Sequence, residues 1–183
     1  MLQRQYKQSL VAFEKALSAA SYYEEVYYQA ALAALGTGDT KKTVHYLMNN
    51  LRLHPYHLEA YELLATLLYE TPIYAGEDEL AMLERGLSLF TYDTSLWIRT
   101  GEILQKQGNM ERAKDVYVRG LTVDTLSRDL LGRLEQVYPS KQEQPAIMAQ
   151  ARTLQGYQEK TGKFAKMSAF YQHKLREQLE AYV

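Results

Sequence analysis

A repeat of about 34 residues runs through the chain and constrains its fold more than any other feature of the sequence. A first register of leucines is spaced 34, 36 and 34 residues apart: Leu17, Leu51, Leu87 and Leu121. A second register of large side chains has the same spacing: Tyr27, Tyr61, Trp97 and Leu131. Because independent registers share one interval, the sequence predicts an array of similar structural units.

Each unit is predicted to contain two amphipathic helices. Apolar residues return every three or four positions in 27–35, and glycines at 36–38 end this run. Asp39 is predicted to cap the following helix, which then ends before Pro55. Two helices of this kind cannot bury their apolar faces alone, so the units are expected to stack.

The unit at residues 94–127 resembles a tetratricopeptide repeat. The positions that carry the resemblance are Trp97, Gly101, Gly108, Ala113, Tyr117 and Gly120-Leu121. Two positions depart from that family's pattern, since Thr91 and Thr125 replace the closing proline that only Pro55 keeps. The resemblance implies an all-α, right-handed α-solenoid of stacked antiparallel helix pairs, with about ten helices and no sheet.

Residues 1–183 are interpreted as one domain, which the same register divides into repeats. Full repeats are predicted at 24–57, 58–93 and 94–127, with the two extra residues of the second repeat within 71–76. A degenerate repeat is predicted at 128–160 and a capping helix at 161–183. Residues 1–23 are interpreted as helix B of a partial repeat. The chain is therefore expected to be a fragment or to begin within a repeat.

The sequence carries no recognisable catalytic motif. It has no Cys, no P-loop, no glycine-rich dinucleotide fingerprint and no nucleophile elbow. His54 and His57 are interpreted as part of a solvated turn because Pro55 lies between them. The acidic pairs and triplets at 24–25 and 77–79 are interpreted as helix-start residues that favour the helix dipole. We expect a protein that is not an enzyme and needs no cofactor or metal.

Charge and hydropathy restrict the class of partner. The formal net charge is −1, which offers no general attraction to nucleic acid. No apolar run approaches the roughly 18 residues of a membrane span, and the first residues do not form a signal peptide. The prediction is a protein partner, with no direct nucleic-acid contact and no membrane span. The lack of a signal peptide in this chain favours the cytoplasm.

In the resembling family, the first helix of each repeat lines a concave groove that holds a peptide or a helix of a partner. The corresponding positions here are predicted groove contacts: Tyr28, Gln29, Glu62, Thr66, Tyr69, Arg99, Glu102, Lys106 and Arg133. Tyrosine is frequent, at 16 of 183 residues. Tyr6, Tyr27, Tyr61 and Tyr117 fall on repeat positions and are predicted to lie in the core, whereas exposed tyrosines are common at binding hot spots. The predicted function is an adaptor or assembly scaffold, in which Trp97 is a packing residue and not a contact.

Three alternatives stay open on the sequence. Residues 96–99 and 111–121 also resemble a half-a-tetratricopeptide repeat, which implies a scaffold in an RNA-processing complex. The chain could also be a non-catalytic accessory domain of a larger enzyme. Finally, residues 141–176 hold seven Lys and Arg against two Glu, so this basic segment could contact an acidic partner.

Overall fold

A computed structural model describes residues 2–19 and 24–161, and in these ranges the chain forms α-helices and two short 3-10 turns but no strand. The nine helices of the described ranges are α1 (Leu2–Ala19), α2 (Glu24–Thr37), α3 (Thr40–Leu53), α4 (Leu58–Glu70), α5 (Glu77–Leu89), α6 (Thr94–Lys106), α7 (Met110–Val123), α8 (Arg128–Val137) and α9 (Ala146–Thr161). The predicted capping helix falls almost entirely outside the described residues.

The helices stack into a two-layer solenoid. Each helix packs against the next one along the chain, from α1 to α9. In one layer α4 also packs on α6, and α6 packs on α8. In the other layer α3 packs on α5, and α7 packs on α9. This arrangement confirms the predicted all-α solenoid, because every second helix returns to the same layer.

Side-chain caps and glycine turns define the ends of the helices. The Asp39 carboxylate accepts a hydrogen bond from the Lys42 amide at 3.0 Å, which is the predicted cap of α3. Asp93 caps α6 in the same way, through the Leu96 amide at 2.7 Å. Gly38 and Gly108 have φ angles of 79° and 76°, a conformation that side chains disfavour.

The core repeats a contact between an aromatic ring and a glycine. A Cβ atom at Gly86 would overlap the ring of Tyr61, and one at Gly101 would overlap the ring of Tyr117. Tyr61 and Tyr117 are both fully buried. A Cβ atom at Gly120 would lie 3.0 Å from the Trp97 side chain, which is only 3% exposed, as predicted for a packing residue. The glycines therefore let helices approach closely enough to bury whole aromatic rings.

One aromatic residue of the first helix is more exposed than the repeat register suggested. Tyr6 packs its ring against Gly36 of α2 but remains 41% exposed, whereas the register had placed it in the core. Among the described residues α1 packs mainly against α2, so one side of α1 is not covered by another described helix. Repeat position predicts burial only where a helix has neighbours on both sides.

Candidate functional site

The face formed by α4, α6 and α8, here called the α4–α6–α8 face, contains a cavity of about 240 Å³ between α4 and α6. Its lining residues are Glu62, Ala65, Thr66, Ser95, Leu96 and Arg99. Three of them, Glu62, Thr66 and Arg99, are predicted groove contacts. They meet because their spacing places them on the same side of two neighbouring helices.

Tyr69, one turn of α4 beyond Thr66, lies against two cations of α6. The Arg99 guanidinium carbon is 4.6 Å from the centroid of the Tyr69 ring, and the Lys106 ammonium is 3.4 Å from it. The Lys106 ammonium also donates a hydrogen bond to the Tyr69 carbonyl oxygen at 2.9 Å. These cation–π contacts fix the ring and both cations relative to one another.

A buried carboxylate joins α6 to α8. Glu102 is 7% exposed, and its two oxygens contact the guanidinium groups of Arg99 at 3.2 Å and of Arg133 at 2.5 Å. We call Arg99, Lys106 and Arg133 the cation cluster. Glu102 compensates one of these three positive charges, so the cluster retains a net positive charge toward solvent. Glu102 was a predicted groove contact, but this side chain is buried under the two arginines.

The opposite end of the same face is negative. Glu59 and Glu62 lie in the first two turns of α4, and Asp93 caps the neighbouring α6. Burial raises the pKa of Glu62, and the negative charges of Asp93 and Glu59 raise it further. We call Glu59, Glu62 and Asp93 the acidic end. Of these three residues, only Glu62 was among the predicted groove contacts.

Tyr28 lies beside the acidic end. Its ring centroid is 4.3 Å from that of His57. Burial raises the pKa of the Tyr28 hydroxyl, and the charges of Glu59 and Glu62 add to this effect. Burial lowers the pKa of His57, whose Nδ1 lies 2.9 Å from the Asn50 side-chain oxygen. His57 therefore packs within the turn between α3 and α4 and is less solvated than the sequence suggested.

Gln29 does not lie on this face. It lines a separate groove of about 580 Å³ between α1 and α2, together with the aromatic side chains of Tyr6 and Phe13. The predicted contacts Glu62, Thr66, Tyr69, Arg99, Lys106 and Arg133 thus share one surface, with Glu102 beneath it and Tyr28 at its edge. Gln29 belongs to another surface, because its side of α2 is turned toward α1.

The acidic start of α5 has a tertiary role as well as the expected helix-start role. The Arg112 guanidinium of α7 contacts Glu77 and Glu84 of α5, each at 3.0 Å. Within 2–19 and 24–161, no group of three His, Cys, Asp or Glu side chains is placed to hold a metal. In the same ranges, no helix has both the length and the apolar character needed to cross a membrane.

Comparison with known proteins identifies the fold. The sequence matches no protein-family model and no curated protein. The structure matches a crystal structure of MamA with a TM-score of 0.59 at 16% identity, over 87% of this chain and 92% of that chain. It matches YrrB, described as a tetratricopeptide-repeat protein with an unusual peptide-binding site, with a TM-score of 0.56 at 19% identity. That match covers 93% of this chain and 84% of YrrB. This chain has a tetratricopeptide-repeat fold.

A third structure supports the same assignment. MamA from Desulfovibrio magneticus RS-1 matches with a TM-score of 0.55 at 17% identity, over 85% of this chain and 86% of that chain. The tetratricopeptide-repeat solenoid described here therefore agrees with the family resemblance of residues 94–127. At these low identities, the likeness extends to the fold and does not carry over individual binding residues.

Proposed function

We propose that this tetratricopeptide-repeat solenoid is a non-catalytic adaptor that binds a segment of another protein across its α4–α6–α8 face. The observation that carries the proposal is the cavity between α4 and α6 with Tyr69 and the cation cluster beside it. A concave surface with a few fixed polar groups and an aromatic ring is typical of a recognition site. The described peptide-binding site of YrrB, a protein of the same fold, supports a peptide ligand.

The side chains of this face are held in place before any partner arrives. Arg99 is fixed by both Tyr69 and Glu102, and Arg133 is fixed by Glu102. Binding costs less conformational entropy when long side chains are already ordered. Apart from Asp93, which caps α6, the residues of the acidic end and the cation cluster lie on helices, which favours a precise site.

Four of the seven cations of the basic segment 141–176 lie outside the described residues, namely Lys163, Lys166, Lys174 and Arg176. In the described part of this segment, the Arg152 guanidinium contacts the Glu135 carboxylate at 2.9 Å and donates to the Gln144 side-chain oxygen at 2.8 Å. This cation is therefore already engaged within the solenoid. A scaffold in an RNA-processing complex and an accessory domain of an enzyme stay compatible with the same binding face, because they differ only in the surrounding assembly.

A random peptide library, selected on the immobilised chain, tests the proposal without knowledge of the natural partner. Thr66→Arg places a long side chain in the cavity. Thr122→Arg makes the same exchange at an exposed position of α7, in the other layer of the solenoid. We expect selected peptides to lose binding to Thr66→Arg and to keep binding to Thr122→Arg. Equal binding to both variants would contradict a site on the α4–α6–α8 face.

A further inference from the structure

We propose that the partner segment carries both a basic and an acidic residue, which contact the acidic end and the cation cluster of the α4–α6–α8 face. This inference rests on the proposed function and names the chemistry of its ligand. The two charged regions lie on one continuous surface, because Glu62 and Arg99 line the same cavity. A segment that crosses the cavity therefore meets both regions.

The spacing of the two charges in the partner follows from the helix geometry. Glu62 and Tyr69 are seven residues apart on α4, which at about 1.5 Å per residue separates the acidic end from the cation cluster by roughly 10 Å. An extended segment rises about 3.3 Å per residue, so its two charged residues would be about three residues apart. A helical segment would need a separation of about seven residues to span the same distance.

The cation cluster can accept a carboxylate even though Glu102 is already bound to it. Glu102 contacts one nitrogen of Arg99 and one nitrogen of Arg133, and each arginine side chain is more than one-third exposed. A guanidinium has several N–H donors and can hold a second carboxylate in a bidentate contact. Lys106 is exposed and adds a further positive charge.

The acidic end can accept a cation of the partner, because its two glutamates are exposed and its carboxylates repel one another. The Glu59 side chain is 70% exposed, and Glu62 is exposed as well. Burial raises the pKa of Glu62, and repulsion by Asp93 and Glu59 raises it further. A lysine or arginine of the partner would relieve this repulsion. A partner with charges of one sign only would be attracted to one region and repelled by the other.

Exchange of the charges between protein and peptide tests the inference. The probe is a peptide from the library selection, together with a second peptide in which its basic and acidic residues are interchanged. In the protein, Glu62→Lys and Lys106→Glu are combined, because both side chains are exposed and neither contacts Glu102. The control combines Glu111→Lys on α7 with Lys41→Glu on α3, the same exchanges in the other layer.

We expect the selected peptide to bind the exchanged protein about tenfold more weakly, as the loss of two exposed charge contacts predicts. The interchanged peptide should bind the exchanged protein more tightly than it binds the original protein. The control variant should bind both peptides as the original protein does. Affinities are measured by fluorescence anisotropy at low and high salt, and circular dichroism checks folding. If the double variant does not fold, the affinity of Lys106→Glu alone is measured for the selected peptide and for a peptide whose acidic residue is changed to Lys.

The outcomes separate this inference from the proposed function. If selected peptides carry one sign of charge, or if the exchange does not change their affinity while Thr66→Arg abolishes binding, the two-charge ligand is wrong and the binding face stands. If Thr66→Arg also has no effect, or if no peptide is selected, both proposals are wrong. Binding that the exchanged pair restores would support both.

Discussion

Gly101→Ala tests whether the contact between a glycine and an aromatic ring determines the packing of α6 on α7. The new methyl group would overlap the ring of Tyr117. The ring has little freedom to move, because Tyr117 is fully buried and its hydroxyl donates to the Gln105 side-chain oxygen at 2.6 Å. The added carbon must therefore displace the helices or force the ring from its preferred rotamer.

The expected change is the difference of two opposing effects. Overpacking of a core costs about 1–3 kcal/mol, and the exchange of glycine for alanine within a helix stabilises it by about 1 kcal/mol. Gly101→Ala is thus expected to lower the free energy of unfolding by up to about 2 kcal/mol. Tyr117→Leu alone should cost about 2–3 kcal/mol, since it leaves a cavity and removes a hydrogen bond.

The decisive measurement is urea unfolding of both single variants and the double variant. In the double variant the alanine methyl occupies space that the ring has left. The loss of unfolding free energy in the double variant should therefore be smaller than the summed losses of the two single variants by at least about 1 kcal/mol. The preceding unit carries this combination already, with Ala65 and Leu83 at the corresponding positions. If the losses of the two single variants add up to that of the double variant within about 0.5 kcal/mol, the steric conflict is refuted.

Three further changes have definite expected outcomes. Trp97→Ala removes a buried ring and should lower the free energy of unfolding by about 3–5 kcal/mol in urea, and an unchanged midpoint would show that the ring is not a packing element. Glu102→Gln leaves Arg99 and Arg133 without their counter-charge, so it should cost about 1–3 kcal/mol. Salt should reduce that deficit in a thermal melt by screening the two guanidinium groups, and a salt-independent deficit would contradict the charge argument. Burial lowers the pKa of His57 from 6.5, so the unfolded chain binds its proton at higher pH than the folded chain does, and stability is lost as pH falls below 6.5. The urea midpoint of His57→Gln should therefore change less between pH 7.5 and pH 5 than that of the original chain, and parallel changes would rule out a contribution from this histidine.

The sequence predicted the fold in considerable detail because repeat spacing reports helix packing directly. The register placed Trp97, Tyr61 and Tyr117 in the core, and all three are buried. Asp39 caps its helix as predicted. The exception is Tyr6, which is 41% exposed because its helix packs mainly against α2 among the described residues. Periodicity identifies the inward side of a helix but does not say whether another helix covers it.

The candidate site was harder to predict, because it depends on pairings between units. Repeat position placed Arg99 and Lys106 on the proposed face, but it gave no sign that both contact the ring of Tyr69. The Glu102 carboxylate is paired with Arg133, which lies 31 residues later in the chain, in the degenerate repeat. Asp93 belongs to the acidic end only because α6 begins beside α4. Contacts between units follow from three-dimensional stacking, and a one-dimensional pattern does not contain them.

The difference in size between corresponding positions bears on how the repeats find their correct neighbours during folding. If α4 paired with α7, Ala65 would carry a methyl group where Gly101 now leaves room for the Tyr117 ring. If α6 paired with α5, Gly101 would face the smaller Leu83 and a void would remain. Similar units in one chain are prone to exchange helices and become trapped in misassembled states. Unequal side-chain volumes at equivalent positions make such exchanged pairs less stable, so the chain distinguishes its own repeats by size.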